Sequence, residues 1–112
     1  MGTKYESGRR LEYIVRNKLR ERGFVVVRSA GSKGPLDLVA WKGNDIRFIQ
    51  CKRTKIKELT ADSICVMFKD DLFKMRWLDA PTLAKLQLWI SSPHEGLIVY
   101  DVLPGGIQPQ TV

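Results

Sequence analysis

Hydrophobic positions near the start of the chain recur at helical spacing. Leu11, Ile14, Val15 and Leu19 follow an i, i+3, i+4 pattern, which at about 100° per residue gathers them on one face. Ser7 suits an N-cap and Gly23 suits the position just past the last turn, so the pattern predicts a helix over Ser7–Arg22. Arg9, Arg16 and Arg20 fall on another face, with Glu12 on the border between the two. A β-branched run, Phe24-Val25-Val26-Val27-Arg28, then predicts a strand. The small residues of Ser29–Pro35 read as a loop. Leu36–Trp41 and Ile46–Lys52 read as two further strands, joined by a hairpin turn at Lys42-Gly43-Asn44-Asp45. These elements form an α-β-β-β unit.

The second half is less periodic. A short helix over Asp70–Leu78 would carry Leu72, Phe73, Met75 and Trp77, and Asp79-Ala80-Pro81 would end it. Lys85–Ser91 alternates in part and Gly96–Tyr100 is β-rich. With Ser92-Pro93-His94-Glu95 between them they read as a hairpin, while a rival helix over Thr82–Ile90 stays open. His94 falls in that turn and reads as a surface residue. The glycines and prolines from Pro104 onward predict a loose tail.

At 112 residues the chain has room for one domain, residues 1–112. Its apolar fraction suits a packed core rather than disorder. Nineteen Lys and Arg oppose twelve Asp and Glu, a net charge of +7. That excess points to a polyanionic partner, above all nucleic acid, whose condensed counterions are released when cations bind. Cys51 and Cys65 make no disulfide framework and no CxxC zinc spacing; they read as small core residues in a reducing compartment. The N-terminal MGTKYESGRR has no apolar signal region, and no apolar run approaches the roughly 20 residues that span a bilayer. The expectation is an intracellular protein without a membrane partner.

The chemistry concentrates at one end of the central hairpin. Asp37 begins one strand and Lys52 ends the other, so an antiparallel pairing brings them together. Side chains alternate, so Gln50 and Lys52 share a face and Cys51 takes the other. Glu12, at the edge of the packed helix, can complete the cluster. Phosphodiester hydrolysis uses such a mixture. Carboxylates hold a hard divalent cation through oxygen, the cation polarises the phosphoryl group, and an ammonium stabilises the charge that develops. The backbone carbonyl of Cys51 is a further candidate metal oxygen. On spacing alone, Asp37 and Lys52 would equally make an ordinary cross-strand ion pair.

The wording of the segment is more specific than its spacing. Glu12, the run Gly23-Phe24-Val25-Val26-Val27-Arg28-Ser29-Ala30-Gly31-Ser32-Lys33, then Leu36-Asp37-Leu38-Val39-Ala40 and Ile49-Gln50-Cys51-Lys52 together resemble the archaeal-type Holliday junction resolvases of the PD-(D/E)xK nuclease superfamily. The resemblance spans Leu11–Lys52. It implies an α/β (α+β) fold with a restriction-endonuclease-like core, a central mixed β-sheet flanked by helices, in the order α-β-β-β-α-β. It implies metal roles for Glu12 and Asp37, a catalytic role for Lys52, a phosphate contact for Arg28, and a DNA-backbone contact for Ser32 and Lys33. It also implies Mg²⁺, with Mn²⁺ as a substitute, and a homodimer making paired nicks in four-way or branched DNA. Two positions depart from the family. Gln50 stands where the family has an acid, and Tyr13 where some members have an arginine.

Gln50 keeps two other readings open: an Mrr-like nuclease with another DNA target, and a catalytically silent protein that binds branched DNA. Arg9, Arg16, Arg28, Lys33, Arg53 and Lys55 are the candidate DNA-facing cations, whereas Lys69, Lys74 and Arg76 read as solvated charges. Phe68, Met75 and Trp77 are candidate interface residues, and Trp89 reads as core.

Overall fold

The structure is a computed structural model that describes residues 4–29 and 34–111, with side chains from residue 8 onward. Ser32 and Lys33 lie outside the described residues. The elements are α1 (Lys4–Glu21), β1 (Val25–Arg28), β2 (Leu38–Lys42), β3 (Asp45–Arg53), α2 (Ala61–Met67), α3 (Lys69–Arg76), β4 (Ala84–Ser92), β5 (Gly96–Leu103) and β6 (Gly106–Gln110). The strands form one mixed sheet in sequence order, antiparallel throughout except for the parallel pair β3–β4. A parallel pair needs a crossover connection, and α2 and α3 supply it.

The expected α-β-β-β unit is present, because its signals are local. Leu11, Val15 and Leu19 are buried, and Gly23 ends α1 at φ 91°, a left-handed conformation that glycine adopts without a Cβ penalty. The β4–β5 hairpin forms where the alternation placed it, and the rival helix over Thr82–Ile90 does not.

Several expectations are corrected. The order is α-β-β-β-α-α-β-β-β, because a second helix, α2, precedes the expected one and two strands, β5 and β6, follow β4. Its start is fixed by a reciprocal cap, with Thr60 Oγ1 accepting from Ser63 N–H at 3.1 Å and Thr60 N–H donating to Ser63 Oγ at 3.0 Å. The C-terminal tail is not loose: β6 pairs with β5, and Ile107 packs against the core. Arg76 is exposed, as expected of a solvated charge, but it also makes two contacts within the fold. Its Nε donates to Leu103 O at 2.8 Å and its Nη2 to Gly106 O at 3.0 Å, fastening α3 to the turn between β5 and β6.

The sheet separates two cores. On one face α1 covers Val26, Leu38, Ala40, Ile49, Trp89 and Val99. On the other, α2 and α3 bring Ile64, Phe68, Leu72 and Met75 against Leu88, Ile90, Tyr100 and Val102. Phe68 and Met75 are therefore internal rather than interface candidates, and Trp89 is fully buried, as expected. The helices leave parts of the molecule uncovered. Val25, Val27 and Trp41 are exposed on β1 and β2, and Phe73 and Trp77 lie exposed on and just after α3, their rings 6.0 Å apart.

Candidate active site

The site forms where the sheet frays. β2 begins at Leu38, but β3 runs on to Arg53, so Asp37 lies just before β2 beside the last residues of β3. Its backbone is still held in register, with Asp37 N–H donating to Ile49 O at 2.9 Å and Ser29 N–H donating to Asp37 O at 2.8 Å. The side chain turns back to β3, where Oδ2 accepts from Cys51 N–H at 2.8 Å. No hydrogen bond to Oδ1 occurs among the described residues.

Alternation along β3 decides what surrounds Asp37. Cys51 shares the α1 face with Ile49, and burial pushes its thiol well above its usual range. Gln50 and Lys52 take the opposite face and meet α3. There Lys52 Nζ lies 3.1 Å from Asp71 Oδ1, and Gln50 Nε2 donates to the same oxygen at 3.4 Å. The other branch of the Gln50 amide, Oε1, is buried with no hydrogen-bond partner. Leaving a buried acceptor unpaired costs about 1–3 kcal/mol, so this oxygen needs a reason to be there.

Glu12 approaches from the α1 face. Val26 faces α1, so Arg28, two residues on, does too, and its Nε donates to Glu12 Oε1 at 2.9 Å. Burial and the charge of Asp37 raise the Glu12 carboxyl above its ordinary value, against the pull of Arg28. Asp37 is raised as well, chiefly by burial, while the Cys51 N–H and Lys52 act the other way and Asp71 adds to the rise. Two carboxyls that resist ionisation at one sheet end are what a bound cation would relieve. Among the described residues, no three His, Cys, Asp or Glu side chains converge on one point. The structure sets Asp37 within electrostatic reach of Lys52, links Lys52 and Gln50 through Asp71, and leaves Glu12 engaged with Arg28 within electrostatic reach of Asp37.

The cations form two groups. Arg9, Arg16 and Arg28 surround the Tyr13 ring, with guanidinium carbons 5.8, 4.6 and 5.4 Å from its centroid. The Tyr13 hydroxyl is lowered below its usual pKa, first by a hydrogen bond from Arg9 and then by the neighbouring charges. Tyr13 thus gathers arginines on the α1 side of the site. Arg53 and Lys55 belong to the second group, where with Lys52, Thr54, Ser91 and Ser92 they line a cleft of ≈ 720 Å³. Sequence reasoning missed Asp71. Its acidic run, Asp70-Asp71, reads as an ordinary helix start, and only the packing of α3 onto β3 brings it to Lys52.

Known proteins share sequence and fold with this chain. The chain is 40% identical over 52 residues to the crossover junction endodeoxyribonuclease Hjc of Methanocaldococcus jannaschii, a match covering 46% of this chain and 38% of that protein. The chain thus spans well under half of that relative's length. A solved structure of the Holliday junction resolvase Hjc from Archaeoglobus fulgidus superposes with a TM-score of 0.55 at 25% identity, covering 86% of this chain and 73% of the other. The shared fold is the restriction-endonuclease-like one, a mixed six-stranded sheet with flanking helices. The model of the archaeal Holliday junction resolvase family matches residues 3–66, more than half of the sequence and the part that carries Glu12, Arg28, Asp37, Gln50 and Lys52, and the chain belongs to that family.

Proposed function

We propose that this chain is a structure-selective, metal-dependent DNA endonuclease that nicks four-way junctions. The observation that carries the reading is the cluster at the end of β3. Asp37 is locked onto the Cys51 N–H, with Lys52 on the adjoining face and an unpartnered carbonyl oxygen, Gln50 Oε1, between them in sequence.

The donor set fits a hard cation. Such an ion takes oxygen ligands, and the site offers the carboxylate of Asp37, the orphaned Oε1 of Gln50 and the nearby carboxylate of Glu12. An extended residue directs its N–H and C=O to the same strand edge, so the Cys51 carbonyl leaves β3 on the Asp37 side and is a further candidate. When bound, Mg²⁺, or Mn²⁺ in its place, supplies Lewis acidity at the phosphoryl group and lowers the pKa of water. The protein's own groups do the rest. Lys52 places a positive charge where the phosphoryl oxygens gain negative charge. Arg28 holds Glu12 in place and offers its remaining N–H groups to a phosphate.

Binding follows from the two cationic groups. Arg9, Arg16 and Arg28 flank the site on one side, and Arg53 and Lys55 line the cleft beside Lys52. Phosphate contacts carry little base information, which suits recognition of junction shape over sequence. Ser32 and Lys33 belong to the same DNA-facing set by resemblance. Paired nicks require two sites, hence a homodimer. Of the interface candidates, Trp77 remains available, with Phe73 beside it, and the exposed Val25, Val27 and Trp41 form a second apolar area.

The test is incubation of a synthetic four-way junction with Mg²⁺ or Mn²⁺, with Asp37→Asn as control. Paired nicks in the junction, lost in Asp37→Asn without loss of binding, support the reading. Equal cutting of linear duplex would overturn junction selectivity in favour of another DNA target. The lack of three converging carboxylates among the described residues favours one rival, a silent binder of branched DNA. Tight junction binding with no cutting under either metal would establish that rival.

A further inference from the structure

Asp71 lies on α3, beyond the residues matched by the family model. Its Oδ1 is nevertheless the shared partner of two residues of the site, Lys52 Nζ at 3.1 Å and Gln50 Nε2 at 3.4 Å. An ordinary ion pair between helix and strand would explain the contact with Lys52. It would not explain Gln50, whose side chain is almost wholly buried at 7% exposure while its Oε1 meets no donor.

The amide has two branches. Tying Nε2 to a carboxylate fixes its orientation, since the reverse rotamer would set Oε1 against the negative Oδ1 of Asp71. The oxygen is thereby turned away from Asp71, free to accept. Position 50 is also the one at which this chain lacks the acid its resemblance calls for, and Asp71 supplies a carboxylate next to it from a different element.

We propose that Asp71 is a positioning residue of this site, fixing the Gln50 amide with Oε1 free for a divalent cation, holding the Lys52 ammonium beside it, and returning from α3 the negative charge absent at position 50. The inference rests on the metal-dependent reading above. Asp71 acts through Gln50 and Lys52 and is not assigned a contact with DNA.

The experiment is calorimetric titration of Mn²⁺ into the metal-free protein, with circular dichroism to confirm folding. It compares the unaltered chain, Asp37→Asn, Asp71→Asn, Asp71→Ala and the double variant Gln50→Glu/Asp71→Asn. Removing a partner that orients a metal ligand weakens metal binding about ten- to a hundredfold, and that is the loss expected for both Asp71 variants. The double variant, which moves the acid to position 50, restores the affinity. A merely structural ion pair would not produce that rescue. Mn²⁺ affinity in Asp71→Ala equal to that of the unaltered chain overturns the proposal, as does a double variant no better than Asp71→Asn. If the unaltered chain and Asp37→Asn both fail to bind Mn²⁺, the metal-dependent reading itself fails and the proposal falls with it. Binding that depends on Asp37 but not on Asp71 leaves that reading standing and removes only Asp71.

Discussion

Lys52 and Asp71 face each other across the boundary between β3 and α3, with Nζ and Oδ1 3.1 Å apart. The pair is partly exposed, with side chains about 31% and 28% accessible, and half-exposed pairs add under about 1 kcal/mol to stability. Its importance is therefore positional. The ammonium is held on the face it shares with Gln50, one residue from the strand edge to which Asp37 is bound.

Lys52→Met should separate chemistry from folding. The expected outcome is a fall of about 10²–10³-fold in the nicking rate, the scale for losing one charge-stabilising donor. The melting temperature and junction affinity should stay close to those of the unaltered chain. A rate constant unchanged in single-turnover assays would remove Lys52 from the chemistry.

Asp37 sets a pH dependence in the metal-free protein. Its folded-state pKa lies above the ordinary 3.8, because burial penalises the carboxylate. The folded state therefore binds more protons than the unfolded chain in the window just above 3.8. The stability this group contributes is fully present below that value and is lost as pH rises through the raised pKa. Asp37→Asn, which keeps an oxygen acceptor for the Cys51 N–H, should melt higher than the unaltered protein near neutral pH. The difference should shrink as pH falls toward 3.8. Thermal melts across this range check it, and a difference independent of pH would contradict it.

Tyr13 should matter for DNA affinity although it carries no charge. It lies within 6 Å of three guanidinium groups, and each such contact is worth about 0.5–1 kcal/mol at an exposed site. Tyr13→Leu should weaken junction binding severalfold for every junction sequence alike. Arg16→Ala should also reduce the slope of log affinity against log salt by about one. Salt titrations on two junctions of different sequence distinguish this from base reading, which would spare one of them.

Arg76 should stabilise the C-terminal strand. Its two hydrogen bonds to Leu103 O and Gly106 O join α3 to the turn before β6, and charged hydrogen bonds contribute about 1.5–3 kcal/mol each at most. Arg76→Met is expected to lower stability by an amount near the bottom of that range, with β6 amides exchanging faster in hydrogen-exchange measurements. Protection of residues 106–110 that does not change would show that β6 stands without the clamp.

The two exposed apolar areas make separable predictions for a dimer. Sedimentation of Phe73→Ser/Trp77→Ser and of Val27→Thr/Trp41→Thr should identify the buried area, since only one pair is expected to shift the chain toward monomer. Monomeric behaviour of the unaltered chain at working concentrations would rule out paired nicks by a stable dimer.

The legible part of this protein was the part written locally. Leu11, Val15 and Leu19 specify α1 by spacing, Gly23 its end, and the β2–β3 hairpin carries its own turn. Strand alternation alone put Gln50 and Lys52 on one face and Cys51 on the other. The part that went unread was α2, whose Thr60 and Ser63 make a reciprocal cap from two small residues, a weaker signal than the usual glutamate partner. β6 was misread because its glycines and prolines suit a tail. Its strand character comes from pairing with β5 and from the reach of Arg76, which no window of sequence contains.

The candidate site divides along the same line. The sequence alone determined the identities and the order of Glu12, Asp37, Gln50 and Lys52, and the face on which the last two lie, because β-structure repeats every two residues. The tertiary structure decided that Glu12 is bound to Arg28, that the Gln50 oxygen is buried without a partner, and that the carboxylate beside Lys52 comes from Asp71. Those facts depend on two helices packing against opposite faces of one sheet. Contacts between residues 16 to 21 positions apart are set by that packing and by no local periodicity.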